Sequence, residues 1–282
     1  VTVATTRRLG ALLLLAVVAG CGYDPPSDVV QPASATDSAP PPTTTTVPPG
    51  GRQPTPDDPL RVVFAGDSVM ADLAPAAVDG LVRGGASEAA FVLSPGVALD
   101  PSAETIWRRQ LETVDPDVIV VLVGTWETGG QLGEPGTAGW RARYDAEVLD
   151  PFVELVTSGG AQLIWVGMPA VVDALSTFQL GALNEAYASL PERFDQVTYI
   201  AGGDYVSAPT GGYAEVLEGP EGPVRVRRVD GLHLCPEGAT RIAEPIFDAL
   251  VADWNVPVAE DWRDGDWRRP PQLVKPEECP PV

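Results

Sequence analysis

A chain of 282 residues with 44% hydrophobic content is long enough to bury a sizeable core, and one large domain is expected rather than two small ones. Its 39 acidic against 18 basic residues leave a formal charge of −21, which opposes binding to nucleic acid or to an anionic lipid surface. A single histidine and three cysteines supply no His/Cys ligand set, so neither a metal nor another cofactor is expected.

The N-terminus reads as a targeting segment over residues 1–20: Arg7-Arg8, then an apolar run from Leu9 to Ala19, with small residues just before Cys21. The run is too short to span a bilayer comfortably. Val18-Ala19-Gly20-Cys21 resembles a bacterial lipobox, which implies that Cys21 carries lipid and that the chain is exported and held at the outer face of the cytoplasmic membrane through that anchor alone. Residues 21–59 are dominated by Pro, Thr, Ser, Ala and Asp and bury too little apolar surface to offset ordering entropy. An extended, disordered spacer is expected there.

Residues 61–65 form an apolar, β-branched run that stops at Gly66-Asp67-Ser68, and an Ala-rich stretch over 69–82 follows. That is a strand, a tight turn and a helix. Residues 90–93 read as a short strand leading to Ser94-Pro95-Gly96, and 102–113 as a helix with Ser102 as its cap. The strongest strand signal, 117–123, ends at Gly124 and should be central in the sheet. A helix over 138–158, a strand over 162–167, a helix over 178–190 and a last strand over 196–200 follow. The Gly- and Pro-rich residues 201–229 read as a long loop over one edge of the site, 236–254 as the last helix, and 256–282 as an extended wrapping tail. Alternating strands and helices predict an α/β domain over 60–255, with a parallel sheet covered on both faces.

In such a sheet ligands bind beyond the carboxyl ends of the strands, where a helix start also offers unpaired amides. Ser68 falls at such a point and is the candidate nucleophile, although a serine there can equally cap the helix. A serine hydroxyl attacks only when a base takes its proton, and the chain holds one imidazole, His233. Asp230, three residues earlier, can accept the Nδ1 proton and leave Nε2 facing Ser68. Asp67 reads as a brace for the turn. Arg225 and Arg227 project to one face of an extended segment and are candidates for holding a substrate carboxylate, the alternative being a solvated edge. With Cys21 assigned to lipid, Cys235 and Cys279 remain to pair as a disulfide, which would pin the tail against the His233 loop.

Gly66-Asp67-Ser68, Gly96, Gly124 and Asp230-Gly231-Leu232-His233 arrive in an order that resembles the SGNH/GDSL hydrolase superfamily. The resemblance implies a flavodoxin-like three-layer α/β/α sandwich with Ser68 as nucleophile, His233 as base and Asp230 orienting it. It also implies that the Ser68 and Gly96 amides bind the oxyanion. The family's third block is usually Gly-x-Asn-Asp, whereas Gly124-Thr125-Trp126-Glu127 stands here. Trp126 takes the place of the Asn, with its indole N–H as the one side-chain donor, and Glu127 beside it is a candidate substrate-binding residue. This Trp beside a carboxylate is similar to extracellular actinobacterial SGNH domains, including those joined to membrane acyltransferases. The expected function is therefore a monomeric, exported serine esterase or acyl transferase acting on O-acyl, chiefly O-acetyl, esters of cell-envelope glycans. The alternatives are a catalytically weak glycan-binding or scaffold lipoprotein on the same fold, and a lipase or thioesterase.

Overall fold

A computed structural model describes residues 53–93, 99, 108–109, 111, 113–129, 132–268 and 276–282. The targeting segment with Cys21, the spacer up to residue 52, Gly96 and most of the helix expected over 102–113 lie outside the described residues.

Five strands, β1 (Leu60–Gly66), β2 (Ser87–Leu93), β3 (Val118–Leu122), β4 (Gln162–Val166) and β5 (Val197–Ile200), form one all-parallel sheet in the order β2-β1-β3-β4-β5. This is the flavodoxin-like order, with its switch point between β1 and β3, where a crevice for ligands opens beyond the strand ends. All five residues of β3 are buried, as are all of β1 except Arg61, because helices cover both faces. The two strands accordingly read as continuous apolar runs without alternation.

The fully described helices of the layers are α1 (Ser68–Gly84), α2 (Trp140–Tyr144), α3 (Asp150–Thr157), α4 (Ala174–Ala188) and α5 (Pro236–Trp254). The single helix expected over 138–158 is divided by a π-helical turn, Asp145–Leu149, whose last bond runs from the Asp150 N–H to the Asp145 carbonyl. Pro151 follows directly and has no N–H to continue the ordinary ladder. α4 starts four residues before the expected position because Asp173 caps it, accepting the Ser176 N–H at 2.7 Å. The expected bounds of α5 hold; Pro236 occupies its first turn, and Asn255, left-handed at φ 50°, ends it.

Two expectations need correction. Residues 201–229 are not a featureless loop: they hold a 3-10 turn (Gly202–Val206) and an antiparallel hairpin of β6 (Val216–Gly219) and β7 (Gly222–Arg225). Four-residue strands place only two side chains on each face, too few to show a period. The tail is not simply extended, since its described residues include three 3-10 turns and pack across α1 and α5. The Ala259 N–H bonds the Gly80 carbonyl at 3.0 Å, and buried Trp262 meets the Phe247 ring edge-on at 4.7 Å. Among the described residues no helix is long and apolar enough to cross a membrane.

Gly66 ends β1 where the backbone of β3 and the first turn of α1 approach closely. A Cβ there would stand 2.2 Å from the Leu122 carbonyl oxygen and 2.6 Å from the Met70 Cβ. Neither neighbour yields without moving backbone, and overpacking of this kind costs about 1–3 kcal/mol or more. Gly66→Ala is expected to lower the melting temperature by on the order of 5 °C in a thermal scan.

Candidate active site

The turn from β1 to α1 is set by Asp67. Its carboxylate is the helix cap, accepting the Val69 N–H at 2.9 Å, and its other oxygen accepts the Thr125 N–H at 3.2 Å from the turn after β3. Burial pushes this carboxyl up from its ordinary value, while the amides of Val69, Thr125 and Gly124 work against that rise. Since Asp67 caps the helix, the Ser68 hydroxyl is free for another partner.

That partner is His233, whose Nε2 lies 2.8 Å from Ser68 Oγ. On its other side Nδ1 lies 2.7 Å from Asp230 Oδ2. A carboxylate only accepts, so the proton sits on Nδ1 and the Nε2 lone pair faces the serine. Asp230 is itself held by the backbone amides of Leu232 and His233, at 2.9 and 3.0 Å, both on Oδ1. Partial burial works to raise its pKa, but these amides and the imidazole outweigh it and the value is lowered.

The loop that carries Asp230 and His233 is fastened from several sides. A bridge pairs Arg227 with Leu234, the Arg228 N–H bonds the His233 carbonyl at 2.8 Å, and the Cys235 N–H bonds the Val226 carbonyl at 3.0 Å. Gly231 turns the loop at φ 73°, where a Cβ would stand 2.5 Å from Val172. Asp72, one turn after Ser68 on α1, accepts the Leu234 N–H at 2.9 Å and pairs with the Arg228 guanidinium. Arg228 also reaches Glu278 of the tail at 3.0 Å, and Cys235 and Cys279 are joined by a disulfide. Burial raises the Asp72 carboxyl to about 6, against the opposing pull of Arg228.

Three residues nominated for substrate stand elsewhere. Arg227 is fully buried and donates to the carbonyls of Ala170, at 2.8 Å, and Leu232, bracing the loop from beneath. Arg225 donates to the Pro280 carbonyl at 2.8 Å and pairs with Glu215. Both cations serve the loops because irregular backbone leaves carbonyls that need donors. Glu127 is 4% exposed and accepts the Leu99 N–H at 2.7 Å, so it lies under the site and faces no substrate. Trp126 is 49% exposed, and its indole N–H donates to no described residue. The Ser68 amide opens α1, where N–H groups lack intrahelical acceptors. Beside Asp230 and Leu232 a cavity of about 190 Å³ is walled by Thr125, Thr128, Val171, Val172, Ser176 and Leu180.

Sequence reasoning missed Asp72 and Arg228. The first had a usable signal: four residues after Ser68 on a helix, it shares a face with the serine. Arg228 had none, because its partners come from α1 and from the tail.

A five-stranded parallel sheet of this order, with serine, histidine and aspartate hydrogen-bonded in series at its switch point, defines the SGNH/GDSL hydrolase fold. A candidate GDSL-like lipase from Parabacteroides merdae is similar, with a TM-score of 0.51, 15% identity and coverage of 68% of this chain and 96% of that one. An acetyl esterase, crystallised as a serine-to-alanine mutant with acetate, gives 0.50 at 12% identity, covering 69% of this chain and 99% of that one. No curated protein matches the sequence. The chain belongs to the family described as Protein of unknown function (DUF459), whose model matches residues 61–249.

Removing the Asp72 carboxylate strips Arg228 of one buried partner and orphans the Leu234 N–H. Losing one member of a buried pair costs about 3–5 kcal/mol. Asp72→Ala is expected to lose that much in guanidinium unfolding, and Asp72→Asn, which keeps an acceptor for Leu234, markedly less. Equal losses would assign the whole effect to the ion pair.

Proposed function

We propose that this protein is a serine esterase or acyl transferase of SGNH type acting on short O-acyl esters, chiefly acetyl esters on cell-envelope glycans. The observation that carries the reading is the hydrogen-bonded series Ser68 Oγ, His233 Nε2 and Nδ1, Asp230 Oδ2, at 2.8 and 2.7 Å. As Oγ attacks the ester carbonyl, its proton passes to Nε2, and the imidazolium so formed is stabilised by Asp230. The developing oxyanion faces the start of α1, whose amides and dipole favour negative charge. Nε2–H then protonates the departing alkoxide, leaving an acyl group on Ser68. Water or a sugar hydroxyl, deprotonated by Nε2, attacks that acyl group and frees the serine, giving an acid or a new ester.

The cavity of about 190 Å³ beside Asp230 supports a short acyl group, and its walls of Val171, Val172 and Leu180 suit an aliphatic one. The acetyl esterase that shares this fold supports acetate as the simplest case. Half-exposed Trp126, on the turn after β3, supports the reading through its ring face for a sugar and its indole N–H for the oxyanion. Export and a lipid anchor at Cys21 belong to the same reading and would place the enzyme among envelope glycans.

Hydrolysis of p-nitrophenyl acetate by the full chain tests the chemistry. Ser68→Ala and His233→Ala are each expected to lower kcat/KM by about a thousandfold or more, with fluorophosphonate labelling lost in the first. Rates equal to the unaltered protein would refute the serine mechanism.

A further inference from the structure

Glu127 is an acid that the scheme above leaves unused. It begins a 3-10 turn, Glu127–Gly129, directly after Trp126, and its side chain lies inside the protein. Oε1 accepts the Leu99 N–H at 2.7 Å, whereas Oε2 is buried with no hydrogen-bond partner among the described residues. Around it stand the buried Asp67 carboxylate on the β1–α1 turn and the hydroxyls of Tyr144 on α2 and Tyr187 on α4, which bond each other at 3.1 Å. None of these groups is a cation.

A carboxylate in that setting would carry a charge with one oxygen unsolvated, close to a second buried carboxylate. Asp67 directly precedes Ser68, so one buried carboxyl of this pair already adjoins the residue where a further negative charge forms during acyl transfer. Among the described residues both Asp67 oxygens accept an amide, whereas only Oε1 of Glu127 does, the Glu127 and Trp126 amides opposing its rise less than Leu99. The balance therefore favours a proton on Glu127.

We propose that Glu127 is a positioning residue that works as a neutral acid: it ties the Leu99 backbone to the turn carrying Trp126, and it keeps a second buried negative charge away from the oxyanion forming at Ser68. The inference rests on the esterase reading and specifies how that site is poised. Desolvation first, and Asp67 after it, raise the carboxyl from 4.5 to about 7. With the folded value above the ordinary one, the stabilising contribution of the neutral form is complete below about 4.5 and is lost as pH rises through about 7. Activity should fall in the same upper window, since an ionised Glu127 opposes the transition state electrostatically.

The test is the pH dependence of kcat and KM for p-nitrophenyl acetate in the unaltered protein, Glu127→Gln and Glu127→Ala, each corrected for a Ser68→Ala blank. The unaltered protein should lose kcat about tenfold between roughly pH 7 and pH 9 with little change in KM. Glu127→Gln keeps an acceptor for Leu99 and cannot ionise, so its kcat should stay level over that range. Glu127→Ala, with no acceptor for Leu99, should have lower kcat throughout. Glu127→Gln tracing the unaltered profile, or Glu127→Ala matching the unaltered kcat, would overturn the proposal. Should Ser68→Ala prove as active as the unaltered protein, the esterase reading fails instead, and unfolding midpoints then decide on Glu127: a fall between about pH 4.5 and pH 7 that is shallower in Glu127→Gln upholds the neutral acid, and parallel curves reject it.

Discussion

Ser68 and His233 are 165 residues apart in sequence and must stay within one hydrogen bond of each other. The Asp72 carboxylate makes that possible. Standing one turn beyond Ser68 on α1, it takes the Leu234 N–H and the Arg228 guanidinium, so the helix that presents the hydroxyl also grips the loop that presents the imidazole. A shift of α1 against the sheet therefore carries both partners together, and their separation is insulated from motion elsewhere. Asp67 performs the equivalent service toward β3, joining the nucleophile turn to the turn that holds Trp126.

The floor of the site is built from buried ionisable groups: Asp67, Asp72, Glu127, Arg227 and Arg228. Apolar side chains of similar volume would as a rule be no less stabilising, because desolvating charge offsets most of what pairing returns. Irregular loops explain their presence. The stretch from Arg227 to Cys235 turns sharply and leaves amides and carbonyls without ladder partners, and long polar side chains reach them where backbone cannot. The surroundings also separate the acids by role. Asp230, served by two amides and an imidazole, is held low, while Glu127, enclosed, is driven up by burial against the pull of the Leu99 amide. One kind of carboxyl is thus favoured as a charge at one point of the site and as a neutral acid at another.

Much of this architecture is legible from residues alone. β1 and β3 declare themselves because strands buried on both faces need unbroken apolar runs, and α5 does so because proline at its start and asparagine beyond its end leave little freedom in its bounds. Asp230-Gly231-Leu232-His233 is legible because the chain offers no other imidazole. What escaped is what depends on distant partners. Arg227 in an extended segment reads as a surface cation until the carbonyls of Ala170 and Leu232 are seen above it, and Glu127 beside an exposed tryptophan reads as exposed too. The hairpin of β6 and β7 is too short to carry a period, and the break between α2 and α3 comes from a proline whose effect falls on the turn before it.

The bond between Cys235 and Cys279 has a topological effect beyond fastening a loop. With a sequence separation of 44, it closes a covalent ring that contains all of α5 and its packing against α1. The segment after α5 is therefore tied covalently to the start of that helix, and it cannot peel away from α5 by fraying one residue at a time. A single backbone cut within the ring would likewise leave both fragments attached, so the chain should tolerate proteolytic nicking of its tail better than the sequence length after α5 suggests.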